Sequence, residues 1–231
     1  MHTLRLFLLC ALLLPAGTGR AQNSAYRIVG RINGLADGTR MYLIDGSRRK
    51  FIDSATVRAG QFTLTGQLPE PVFVYLHAGR GQASRKMTDI LLDNQHLTVE
   101  GSQPEYDSVR VRGSLIDQQW KAWLQEDRQL GHRCHQIDRL RQALLAKNDR
   151  AAADAQTAAL RAQQQQRVRL LKAYVSRYHD SATGAALPTF CTLSDYLTRR
   201  DYLEMYALLT PVWQQSTLGQ EILRQATQKG N

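Results

Sequence analysis

Residues 109–120, "VRVRGSLIDQQW", separate two kinds of sequence. Up to Arg112, apolar and polar side chains alternate, the pattern of a strand whose successive residues face opposite sides. Gly113 ends the alternation. From Ser114 onward the apolar residues return at steps of three and four, the period of a helix with one apolar stripe. Ser114 is a good N-cap, and Asp117 puts an acid where the helix dipole favours it.

Toward the N-terminus the alternation continues in short runs: "YRIVGRI", "RMYLID", "KFIDSATV", "QFTLTGQL", "VFVYLHA", "MTDILL", "HLTVEG" and "DSVRVRG". Their length and composition are those of strands. Turn residues separate them: "NGLADGT", "DGS", "AG", "LPEP" and "DNQ". Gly60 supplies the positive φ of a tight hairpin, and Asp93-Asn94 tolerates the left-handed region. About eight strands at this spacing predict an antiparallel β-sandwich or a partly closed barrel over residues 22–113.

Toward the C-terminus, residues 114–231 read as an α-helical region, so the fold class is α+β. Ile116, Trp120, Trp123, Leu130, Cys134, Ile137 and Leu144 mark one long helix, with polar Asp127 and Arg141 on the two missing beats of its seam. "NDR" at 148–150 breaks it, and an alanine- and glutamine-rich partner runs to about Tyr178, giving a long helical hairpin. Val168, Leu171, Val175 and Tyr178 carry the partner's seam, and "QQQQ" at 163–166 is a solvent-facing helical stretch. "HDSATG" at 179–184 stops and restarts the chain with Asp180 or Ser181 as cap. Shorter helices are predicted around 182–193, 199–209 and 216–228, with caps near Ser194 or Thr198 and at Ser216, and with Pro211 as the break between the last two.

The chain opens "MHTLRLFLLCALLLPAGTGRAQ". One early cation, a short apolar run and small residues before Gln22 make residues 1–21 a secretory signal peptide, cut after Ala21. Cys10 is not read as a lipid-attachment site, because no small side chain stands just ahead of it. No other run is long and apolar enough to span a bilayer, so the expected location is the periplasm or cell envelope. Without residues 1–21 there remain 28 basic and 20 acidic side chains, a net charge of +8. The excess is shared between the two halves, and no basic stripe with interleaved aromatics marks a nucleic-acid binder. A solvated basic surface that leans on anionic envelope material is the expectation.

The order of these features resembles a known family. "IVGRINGLADGTRMYLID", "IDSATVRAGQFTLTGQLPEPVFVYL", "ILLDNQHLTVEG" and "VRGS" entering helices look like the domain of unknown function that precedes the thioredoxin-like domain in Bacteroidetes envelope thiol:disulfide oxidoreductases, relatives of TlpA and ResA. "YHDSATGAAL" and "LTPVWQQSTLGQEILRQA" resemble the helical segments of the same proteins. The family's chemistry belongs to a following domain with a Cys-x-x-Cys at a helix start, where the thiol pKa is lowered. Here the chain stops at Asn231 with no Cys-x-x-Cys, so the resemblance implies no oxidoreductase activity for these residues.

Other constellations are weighed against ordinary structure. "HRCH" sets His132 and His135 three apart beside Cys134, which suits a zinc or copper site only with a further ligand such as Cys191 or His179. Cys134 lies on the apolar seam, so core cysteine and solvated histidines are expected instead. Cys134 and Cys191 both fall in predicted helices and are expected unbonded to each other. Asp53-Ser54 lacks the elbow and base of a nucleophilic serine, and a cross-strand hydrogen bond or turn accounts for it better. Trp120, Trp123, Tyr196, Tyr202 and Tyr206 have the spacing of core residues, not of a ligand groove.

These readings predict no catalytic residue, cofactor or metal, and a non-catalytic binding or assembly module of the envelope. Its expected partner is a protein, either a separate thioredoxin-like protein or a second copy through the helices, with no nucleic acid. A redox partner or regulator acting through Cys134 and Cys191, or a remnant of a truncated oxidoreductase, is the competing expectation.

Overall fold

The computed structural model describes residues 25–81, 84–101 and 109–230. The signal-peptide reading, with Cys10 and the cut after Ala21, lies outside them. Eight strands come first: β1 (Tyr26–Ile32), β2 (Arg40–Asp45), β3 (Phe51–Thr56), β4 (Gln61–Gly66), β5 (Val72–Ala78), β6 (Arg85–Leu92), β7 (His96–Gly101) and β8 (Arg110–Arg112). Six helices follow: α1 (Leu115–Ala146), α2 (Arg150–Arg177), α3 (Ala182–Phe190), α4 (Arg199–Leu208), α5 (Pro211–Gln215) and α6 (Thr217–Gln228). The α+β reading holds.

The strands form two separate four-stranded sheets, ordered β4-β1-β7-β8 and β3-β2-β5-β6, which do not close into a barrel. The antiparallel expectation holds for every strand pair but one. β1 and β7 run parallel, Ile28 opposite Leu97, because the chain crosses to the second sheet and back between them. Ile28, Leu64, Leu97 and Val99 from one sheet meet Leu43, Val74, Leu76 and Ile90 from the other in a buried core.

The turn in "FIDSATVRAGQFTLTG" is tight, as its glycine predicts. Arg58 and Gln61 exchange backbone hydrogen bonds of 2.8 and 3.0 Å, with Ala59 at φ 49° and Gly60 at φ 70°. The strands it joins do not form a hairpin, however. β3 pairs with β2 and β4 pairs with β1, so the turn is a corner between sheets. The Asp37 carboxylate holds this corner by accepting hydrogen bonds from the backbone N–H groups of Gly60 (3.1 Å) and Ala59 (3.0 Å), which lower its pKa. An L-residue in the left-handed region is strained. Ala59→Gly is therefore expected to raise stability by about 1 kcal/mol, read as a higher midpoint in urea unfolding with an unchanged slope.

The helical half begins as its cap predicts. Ser114 Oγ accepts from the Asp117 N–H at 3.3 Å. α1 and α2 turn back on each other at "NDR": Asn148 takes φ 54°, and the Asn148 and Asp149 N–H groups donate to the carbonyls of Leu145 and Leu144, both at 3.0 Å. This is the bonding that closes a helix on a left-handed residue. Asp149 then caps α2 through Ala152 N–H at 3.1 Å. Further on, α3 is shorter than expected and ends at Phe190, with a 3-10 turn at Ser194–Tyr196 before α4. Pro211 starts the short α5 instead of merely separating its neighbours, since its fixed φ suits the first helical turn.

The two halves share a boundary core. Phe73 of β5 and Leu91 of β6 belong to the helical cluster with Trp120, Trp123, Leu171 and Ala186. Phe190 stacks on Phe73 at 4.2 Å between centroids, and Trp120 meets it edge-on at 5.0 Å. α1 thereby covers one end of the outer face of the second sheet. Toward the other end of that face His77 is half-buried and Arg80 is exposed.

Candidate functional site

Most of the residues singled out in the sequence are committed to structure. His132 and His135 are exposed and Cys134 is buried. Among the described residues, no group of three His, Cys, Asp or Glu side chains has metal-binding geometry. His179 Nδ1 lies 2.9 Å from the Ser176 carbonyl. Cys134 and Cys191 are free thiols. Cys191 is only partly buried as a residue, yet desolvation pushes its thiol up to about 12, and its Sγ sits 3.4 Å from the Pro188 carbonyl. Trp120, Trp123 and Tyr202 are core, Tyr206 packs against the core, and Tyr196 is exposed.

Asp53 and Ser54 work across strands. Asp53 accepts from Thr65 N–H at 3.0 Å and from the Tyr26 hydroxyl at 3.4 Å, tying the edge strands β3 and β4 of opposite sheets. Burial and the neighbouring Asp53 charge push the Tyr26 phenol up to about 12. Ser54 Oγ accepts from an Arg40 guanidinium N–H at 2.9 Å, and Thr56 Oγ1 from another at 3.1 Å.

Arg40 opens onto the feature that sequence order conceals. Strand register stacks the outward-facing residues of the second sheet in rows. Arg40 lies opposite Thr56. Tyr42 lies opposite Ser54 and His77, and His77 opposite Lys86. Ile44 lies opposite Tyr75, and Tyr75 opposite Asp89. Phe73 and Leu91 form the last row, under the helices. In the remaining rows Tyr42 is buried, at 4% exposure, Tyr75 is partly buried and also packs against the helical cluster, and cations edge both rings.

Two turns bring those cations over the rings. In the β2–β3 turn, Asp45 Oδ1 accepts from the Ser47 and Arg48 N–H groups, both at 2.8 Å, and Arg49 adopts φ 55°. Its guanidinium then lies 5.6 Å from the centroid of Tyr75. At the other end, the Gly79 N–H donates to the Arg40 carbonyl at 2.8 Å, and Arg80 sits over Tyr42 at 5.1 Å. Lys86 Nζ approaches Tyr75 at 4.7 Å and pairs with Asp89 at 2.7 Å. Phe51 packs on Tyr42 at 5.3 Å while remaining 69% exposed.

The charges are unequal. Arg40, Arg49 and Arg80 are exposed and make no carboxylate ion pair among the described residues. Asp45 is turned into its own loop and Asp89 is matched by Lys86. Burial, then the nearby Lys86 charge, lowers the His77 pKa, so His77 is a neutral donor and acceptor near neutral pH, with Nδ1 3.0 Å from Ser84 Oγ. Counting charges along the chain spreads the basic excess evenly. The fold gathers part of it on one face, because Arg49, just after β2, and Arg80, just after β5, lie at opposite ends of these two paired antiparallel strands. The face can hold oxyanions against guanidinium N–H groups and rest apolar ring surface on tyrosine.

Comparison with known protein families finds one match: residues 26–120 match the family model of DUF4369, a domain of unknown function. No curated protein matches the chain. The DUF4369 match contains the whole sandwich with its basic face and extends past Gly113 to Trp120. The physical reason for that extent is visible in the packing: Ser114, Asp117 and Trp120 are bonded to or packed on β5 and β6, so the first turns of α1 complete the sheet's edge.

Proposed function

We propose that this chain is an exported, non-catalytic binding or assembly module of the cell envelope, resembling the accessory part of a thioredoxin-like oxidoreductase. The observation that carries this reading is the contrast between its polar groups. Cys134 is buried, the Cys191 thiol is raised, and Asp53 and Ser54 are hydrogen-bonded across strands, while Arg40, Arg49 and Arg80 are exposed and make no carboxylate ion pair among the described residues. Recognition by such a face needs positioned donors and ring surface, not a reactive atom.

The redox-partner reading requires at least one accessible, low-pKa thiol. A buried Cys134 and a Cys191 thiol raised to about 12 weigh against it. Native protein mixed with an aromatic disulfide reagent at neutral pH is expected to react slowly, at the rate of local opening, and both thiols are expected to appear at once in denaturant. Rapid labelling of either thiol, or recovery of a mixed disulfide with a thioredoxin-like protein, would favour the redox reading. Export is tested by fractionating cells that make the tagged protein. The expected product begins at Gln22 and is found in the periplasmic or envelope fraction, and an uncut cytoplasmic product contradicts the proposal.

A further inference from the structure

The structure assigns a ligand class to the basic sheet face: we propose that Arg80 and Arg49, set over Tyr42 and Tyr75, together with the neighbouring Arg40, dock a linear acidic polysaccharide through its carboxylates. The inference rests on the binding-module reading and names what that module binds. Cation and ring alternate along the face. Arg80 stands on Tyr42, and one diagonal step away Arg49 stands on Tyr75. A guanidinium resting on a ring keeps its N–H edge free for bidentate bonding to a carboxylate. Tyr75, which carries both Arg49 and Lys86, and the neutral His77 are partly exposed between the cations. A uronate chain alternates in the same way, with carboxylates separated by the apolar C–H faces of its sugar rings.

Other occupants match less of this chemistry. A neutral glycan leaves three cations without counter-charge. A lipid surface calls for several protruding apolar side chains, and among the described residues of this face only Phe51 is a large, exposed hydrophobe. Free phosphate uses one guanidinium and none of the rings. The arginines are spread along the face, with Arg80 over Tyr42 and Arg49 over Tyr75 one diagonal step away, which suits an extended chain more than a small ion.

The test titrates purified protein with polygalacturonate, and in parallel with neutral dextran, inorganic phosphate and phosphatidylglycerol vesicles, following binding by calorimetry or vesicle sedimentation. Polygalacturonate is expected to bind, dextran is not, and the affinity is expected to fall steeply with added salt. Arg49→Ser/Arg80→Ser, both surface changes, should keep the thermal midpoint while weakening polygalacturonate binding about tenfold or more, roughly one charged hydrogen bond's worth. Equal binding by the variant overturns the site. Vesicle binding that the variant loses, without polygalacturonate binding, overturns the sugar assignment and leaves the binding-module reading standing. Absence of binding to every probe overturns the proposal, and the thiol and fractionation experiments then decide the broader reading separately.

Discussion

Replacing Arg167 with methionine is expected to lower the unfolding free energy by about 3–5 kcal/mol. Arg167 of α2 donates to both carboxylate oxygens of Asp127 on α1, each at 2.7 Å, and to Thr192 Oγ1 at 3.1 Å. Thr192 in turn donates to Asp127 at 2.9 Å. Asp127 is 1% exposed, so removing the guanidinium leaves a buried carboxylate with one hydroxyl partner. Its attraction to Arg167 offsets its desolvation only while both are present. Asp127→Leu combined with Arg167→Met should recover most of the loss, because an apolar pair needs no compensation. Urea unfolding of the two single variants and the double variant measures the difference. A double variant as unstable as Arg167→Met would assign the effect to packing instead of charge.

Asp117→Ala is expected to cost about 3 kcal/mol and to act at the joint between sandwich and helices. Asp117 is 1% exposed. One carboxylate oxygen accepts from the Leu91 N–H of β6 at 3.0 Å and the other from Lys121 Nζ at 2.7 Å. Ser114 Oγ lies 3.4 Å from the Leu91 carbonyl, so the α1 cap and the outer edge of β6 satisfy each other. Alanine leaves the Leu91 N–H buried without an acceptor. Burial raises the Asp117 pKa, with Lys121 and the Leu91 N–H opposing that rise, which means that the charge itself is held at a cost. Asp117→Asn keeps an acceptor for Leu91 and loses that cost, so it should destabilise much less than alanine. Amide exchange at Leu91 supplies an independent reading: it should accelerate in Asp117→Ala and stay protected in Asp117→Asn.

Both residues show where sequence stops being legible. Ser114 and Asp117 are readable as a cap because capping is local, spanning one helical turn. That the same carboxylate reaches β6 is not readable, since nothing periodic links Leu91 to Asp117. Asp127 stands in the sequence as a polar beat on an apolar seam, which marks it as unusual. Its partner lies forty residues away at the end of a glutamine run, where an arginine looks like one more solvated side chain. The strands, hairpin and caps were legible for the same reason as Ser114: alternation, Asn148 at a helix end and Ser216 before α6 are all short-range signals. Which strands pair is long-range, and so the corner at Ala59-Gly60 reads as a hairpin until Tyr26 and Thr65 are seen beside Asp53. The basic face is hidden in the same way. Arg40, Arg49 and Arg80 are scattered along the chain, and only the order β3-β2-β5-β6 puts them together.

The most direct measurement of the central claim is amide chemical-shift mapping of isotope-labelled protein titrated with short galacturonate oligomers. Recognition through the exposed sheet face predicts shifts that saturate with ligand and cluster at Arg40–Asp45, Arg49–Thr56 and Tyr75–Arg80, with α2 and α6 unmoved. Shifts centred on the helices, or none at a ligand concentration where calorimetry records binding, would contradict it.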